Sequence, residues 1–169
     1  RSSTAAALYY PAQQRVMIVT GLPASPKVAR IVDVSTISQD LARMAVSDDG
    51  SVLLYAVPMN ERDSLFVSTA TSSNRLLTVA DSISDIAIAP SGDAIVADTK
   101  ANEVFAVLNP KGSGARQVLN ADQNEIAGPT GVTVSNSGLI YVANSGTRSV
   151  LTLDGTGRLV RSQSCNCIL

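Results

Sequence analysis

Histidine and tryptophan are both absent from this 169-residue chain. Without histidine there is no imidazole general base, no Ser-His-Asp triad, no Cys-His dyad and no His-ligated zinc. Charge is scarce as well. Asp, Glu, Lys and Arg make up 16% of residues, against roughly 25% in an average globular protein. Thirteen basic and fourteen acidic residues leave a net charge of −1, and no run of like charge occurs. A nucleic-acid surface needs clustered Lys and Arg to release counterions, so the sequence argues against a nucleic-acid partner. No window approaches the ~20 apolar residues of a spanning helix, and no membrane span is expected. No segment sustains a 3.6-residue hydrophobic period, which argues against helix.

Apolar residues nonetheless reach 45%, enough to bury a core, and Ser, Thr, Asn, Gln and Ala fill the surface. That is a globular composition, because disorder requires low hydrophobicity and high net charge. The start, RSSTAAALYY, has neither an initiator Met nor an apolar signal stretch. It reads as a processed or truncated start, and the chain as a piece of a larger one.

Three stretches align on a glycine: MAVSDDGSVLLYA at Gly50, IAIAPSGDAIVAD at Gly92 and VTVSNSGLIYVAN at Gly138. A weaker copy, LYYPAQQRVMIVT, is anchored at Gln14. Apolar residues stand six and four places before each anchor: Leu8 and Tyr10, Met44 and Val46, Ile86 and Ile88, Val132 and Val134. That period of two marks a short strand. A polar turn follows, then a run such as SVLLYAV, suited to a strand covered on both faces. A third strand (SLFVST, EVFAVL, SVLTL) and a more polar fourth (RLLTVA, ARQVLN, RLVRSQ) complete each copy. Four antiparallel strands per unit of about 40–46 residues is the arithmetic of a β-propeller blade. The expected fold is therefore all-β. It is a single domain over 1–169, with blades at 5–40, 41–82, 83–127 and 128–165, forming an incomplete or oligomer-completed ring. Strand 1 would lie innermost and strand 4 outermost. The first blade has room for only one confident further strand, KVARIVDV, and a short second. A β-sandwich is the competing all-β arrangement.

The last copy, GPTGVTVSNSGLIYVANSGTRSVLTLDGTGRLV, resembles an NHL-type repeat through Pro129, Gly131, Gly138, the strand Tyr141 to Asn144, and Arg148. Its YVAN also resembles the signature of YVTN-type propellers, common in bacterial surface and periplasmic proteins. The resemblance is good over 128–162, fair over 84–120 and loose earlier. The third copy has Asn102 where the pattern has Arg. The resemblance implies blades rather than chemistry, since such propellers include binding modules and a few enzymes.

Six residues after each anchor stand Thr20, Ala56, Asp98 and Asn144. Asp98 and Asn144 either converge at a binding rim or cap their local turns. The loops PMNERD, DTKANE and NSGTRS between strands 2 and 3 would share one face, offering Asn60, Glu61, Arg62, Asp98, Lys100, Asn102, Asn144 and Arg148 to a partner. A mixed-sign loop set is more often simply solvated, with salt bridges worth little. DSISD (81–85) and DQNE (122–125) are expected on the opposite face, where their oxygens could hold Ca²⁺, although no EF-hand spacing is present. Cys165 and Cys167 are read as a disulfide, with each other or to a segment outside this sequence, or as plain thiols. No catalytic residue, metal site or cofactor is assigned. The reading is a binding scaffold for a protein or small polar ligand, extracytoplasmic, completed by further blades of a larger chain or by a second copy. The alternative is a metal-dependent lactonase- or hydrolase-type propeller.

Overall fold

All four repeat anchors take left-handed backbone. In the computed structural model, which describes residues 4–35, 41–119 and 125–165, φ is +49° at Gln14, +73° at Gly50, +90° at Gly92 and +82° at Gly138. Each anchor N–H donates to the carbonyl three residues earlier, on Pro11, Ser47, Ala89 and Ser135, at 2.8 to 3.0 Å. The four corners are thus the same turn, and Gln14 makes it without glycine.

The strands on either side of these corners form four meanders. The first sheet holds β1 (Ala5–Tyr10), β2 (Arg15–Thr20) and β3 (Lys27–Asp33). The second holds β4 (Arg43–Val46), β5 (Leu53–Met59), β6 (Arg62–Ser68) and β7 (Arg75–Ala80). The third holds β8 (Ile83–Ile88), β9 (Ala94–Asp98), β10 (Glu103–Leu108) and β11 (Ala115–Val118). The fourth holds β12 (Pro129–Val134), β13 (Ile140–Asn144), β14 (Ser149–Leu153) and β15 (Leu159–Ser164). The fold is all-β and of blade type. Among the described residues there is no α-helix, and so no helix long and apolar enough to cross a membrane. The first sheet has three described strands rather than four.

Turn length corrects one alignment. The residues between the paired ends of strands 1 and 2 are 11–14, 47–52, 89–93 and 135–139 in the four sheets. The first turn is one residue shorter than the last two, and the second is one longer. The positions equivalent to Asp98 and Asn144 are therefore Val19 and Val57, not Thr20 and Ala56. A one-residue change in a turn moves every later side chain to the other face of its strand.

The chain divides into two compact units, Arg1–Val79 and Ala80–Leu169. In the first, Val16, Ile18, Val32 and Val34 pack against Leu53, Tyr55 and Val57. The Tyr55 ring stacks on Phe66 at 5.6 Å, and its hydroxyl donates to Asn74 Oδ1 at 2.7 Å. In the second, Ile95, Ala97, Val104 and Ala106 pack against Val132, Val134, Ile140, Val142, Leu151 and Leu153. Each fully buried Val, Leu or Ile among them stabilises by about 1.5–3 kcal/mol. Leu53 to Val57 and Ala94 to Asp98 are buried throughout, as a continuous apolar run requires when both faces are covered.

Candidate functional site

Asp98 and Asn144 end equivalent strands and do equivalent work. Asp98 is 1% exposed. Its Oδ1 accepts from the N–H groups of Ser82 and Ala101, and its Oδ2 from that of Asp81. Asn144 is 0% exposed. Its Oδ1 accepts from Ala127 N–H at 2.7 Å, and its Nδ2 donates to the Glu125 carbonyl and to Thr147 Oγ1. Each side chain ties the end of strand 2 to the segment entering strand 1 of its own sheet. The carboxylate can only accept and meets only N–H groups, whereas the amide does both and meets a carbonyl as well.

These bonds also relocate DSISD. The link into strand 1 meets the end of strand 2, so it shares an end of the sheet with the 2–3 turn instead of lying opposite it. Four antiparallel strands run up, down, up and down, and that parity puts the 2–3 turn and the entry segment together. Of DQNE, only Glu125 lies within the described residues.

The remaining predicted contact residues divide in the same way. Asn102 and Arg148 hold one left-handed turn position, at φ +54° and +52°. Each donates its N–H to the residue three places back, Thr99 and Ser145. Asn102 Oδ1 accepts from Gly128 N–H at 2.7 Å, joining the third and fourth sheets. The Lys100 and Arg148 side chains are exposed. PMNERD is the tip of the β5–β6 hairpin, not an open loop. Pro58 pairs with Asp63 and Met59 with Arg62, which leaves Asn60 and Glu61 as the turn, both exposed, with Asn60 at φ +60°.

The junction within the second unit is dense in polar contacts. Ser84 Oγ and Thr99 Oγ1 both donate to the Pro129 carbonyl, at 2.8 and 2.5 Å. Asp85 is the carboxylate carried by the innermost strand of the third sheet. Its Oδ1 accepts from Ile86 N–H and its Oδ2 from Val132 N–H, each at 2.9 Å. Its counterpart in the fourth sheet is Gly131, so no second carboxylate faces it. Among the described residues no three Cys, Asp or Glu side chains converge as a metal site would require.

At the other end of the same unit lies a cleft of about 400 Å³ between the third and fourth sheets. Its apolar lining includes Ile95, Leu108, Val134 and Ile140, and its polar lining includes Ser91, Asp93, Asn136 and Ser137. Asp93 is the only ionisable residue there. Its Oδ2 accepts from Ser91 Oγ at 2.7 Å and its Oδ1 from Asn109 N–H at 2.8 Å. By sequence, APSG and SNSG are turns alone. The signal for a cleft was there in the two small polar corners flanked by apolar strands, but a turn does not reveal what faces it across a sheet interface. Cys165 is disulfide-bonded, and Cys167 lies outside the described residues.

No family model and no curated protein matches the chain. Solved structures do. A nidogen/laminin complex matches with a TM-score of 0.65 at 15% identity, over 90% of this chain and 56% of that one. Regucalcin from Agrobacterium tumefaciens, described as calcium-binding, matches with a TM-score of 0.64 at 16% identity, over 99% and 59%. Virginiamycin B lyase from Staphylococcus aureus matches with a TM-score of 0.61 at 11% identity, over 92% and 50%. The chain thus spans little more than half the length of these neighbours. At such identities the likeness shows the fold, which is of β-propeller type.

Proposed function

We propose that this chain is a binding module of propeller type whose ligand, a small polar molecule or a protein side chain, enters the cleft between the third and fourth sheets. One observation carries the reading: the cleft combines an apolar floor with a hydroxyl- and amide-bearing rim, and its one carboxylate is held by Ser91 and Asn109. Such a lining recognises shape and hydrogen bonds and supplies no acid–base pair. The 2–3 turns contribute less, because Asp98, Asn102 and Asn144 are engaged with backbone. Asn60, Glu61, Lys100 and Arg148 remain the side chains there that a partner would meet. An extracytoplasmic location accords with the disulfide at Cys165. Further blades, from a longer chain or a second copy, accord with the coverage of the structural neighbours.

A fragment screen by two-dimensional amide NMR tests this. Shifts should cluster at Ser91, Asn136, Ser137 and Gly138, and Ser137→Trp, which fills the mouth, should abolish them. Shifts clustering on the 2–3 turns, or turnover of a screened compound, would reject it. The second reading, a metal-dependent lactonase- or hydrolase-type propeller, rests on Asp85 at the innermost strand and on the enzymes among the fold neighbours. Stoichiometric divalent metal in the purified chain, lost in Asp85→Ala, would favour it.

A further inference from the structure

We propose that the outer edge of β3 is a strand-addition site for an extended peptide segment carrying a carboxylate. Among the described residues β3 has one strand neighbour, β2. In the other three sheets the corresponding edge is covered by β7, β11 or β15, so this chain itself shows what fits there: an antiparallel strand. Beside the open edge lies a groove of about 530 Å³, lined by Arg30, Val32 and Asp33 on one side and Ser68, Thr69 and Asn74 on the other.

Arg30 gives the incoming strand its chemistry. Its Nη2 donates to the Ser68 carbonyl at 3.2 Å, while its Nη1 is buried without a hydrogen-bond partner. Burial holds the guanidinium below its ordinary pKa. A desolvated cation is stabilised best by a carboxylate. Asp33 does not serve, because it points to the other face of β3. There its Oδ1 accepts from Ser35 N–H and hydroxyl, and its Oδ2 lies 3.9 Å from Arg15. The third sheet shows the pairing in mirror image: Arg116 on strand 4 pairs with Glu103 on strand 3 and lies 4.3 Å over the Phe105 ring. In the first sheet the arginine is on strand 3, so strand 4 must bring the acid.

The cross-strand rows fix the rest. Leu8, Met17 and Ile31 form one row, and Ala6, Val19 and Val28 another. Val28 is 54% exposed and Ile31 56%, so each row ends on an uncovered apolar side chain at the edge. The added strand therefore alternates apolar, acidic, apolar, with the acid facing Arg30 and main-chain bonds supplying the common part of the affinity.

The test is fluorescence anisotropy of a labelled Thr-Ile-Glu-Val-Thr peptide with the full chain. The Glu peptide should bind about tenfold tighter than its Lys counterpart, the scale of one charge-assisted pair. A peptide whose Val is replaced by Pro should not bind. Arg30→Gln should erase the preference for Glu. Val28→Glu, at an exposed position that does not threaten the fold, should weaken the acidic peptide alone. Amide exchange should slow across Lys27–Asp33. Equal binding of Glu and Lys peptides, protection confined to other strands, or a dimer already protected at β3 without peptide would overturn the proposal.

Discussion

Asn144 has no solvent exposure and three hydrogen bonds, so truncating it leaves backbone groups of the entry segment without partners. Asn144→Ala should cost about 2–3 kcal/mol in urea unfolding, with any ligand shifts at the distant cleft retained. Loss of binding at unchanged stability would instead make Asn144 a contact residue. Two titrating groups contribute to the pH dependence of stability. Burial pushes the Tyr55 phenol above its ordinary value of 10.0. A raised folded value stabilises below pH 10 and is lost as pH rises beyond it. The denaturation midpoint should therefore fall in alkali, and fall less steeply in Tyr55→Phe. Asp154 works in the opposite direction. The Thr156 hydroxyl, aided by N–H groups of Arg158 and Thr156 and the Arg158 side chain, lowers its carboxyl from 3.8 to about 2. That contribution is present above pH 3.8 and disappears as pH falls towards about 2, so Asp154→Asn should flatten the acid limb of the stability curve. Reading these roles from sequence was partly possible. Asp98 and Asn144 are legible as turn-cap candidates because Asx side chains bond nearby backbone. The role of Arg30 is not legible, because nothing in KVARIVDV says that one nitrogen of its head group is buried.

Single turns decide how each element is held. Gly157, in the β14–β15 turn, has φ +90°, and a Cβ there would overlap the Leu119 backbone of the third sheet. Gly138 has φ +82° but open space around an added Cβ. Gly157→Ala should therefore cost roughly 3 kcal/mol or more, whereas Gly138→Ala should cost about 1–2 kcal/mol for its left-handed backbone alone. Comparing the two thermal midpoints checks this, and equal shifts would mean that the Leu119 contact is not formed. Strand identity was legible at this scale because period-two alternation and punctuating turns are local. Register was not fully legible. The extra residue in 47–52 and the missing one in 11–14 shift strand 2 by one place, and that slip separates Val57 from Asp98.

The blade repeat itself was in the sequence: four corners, each flanked by strands of fixed alternation. The whole chain also carries an apolar sheet face that local pattern could not assign. Leu8 and Tyr10 are exposed, on the face of the first sheet turned away from the Val16–Tyr55 core. Such a face favours association. Sedimentation should show self-association rising with concentration, and Leu8→Glu with Tyr10→Glu should abolish it. A chain that stays monomeric at all concentrations would show that this face needs no cover. That the chain is all-β and built of repeated meanders follows from its residues alone, because strand period and turn residues act over a few neighbours. Imidazole chemistry is excluded at the same level, because composition is not a matter of folding. Tertiary packing is what makes Asp98, Asn102 and Asn144 serve the backbone, opens a cleft at the opposite end, and buries Arg30 Nη1 beside an edge of β3 that no other described strand covers. Those facts depend on which sheet packs on which, and residues 38 to 47 places apart in the chain meet only there.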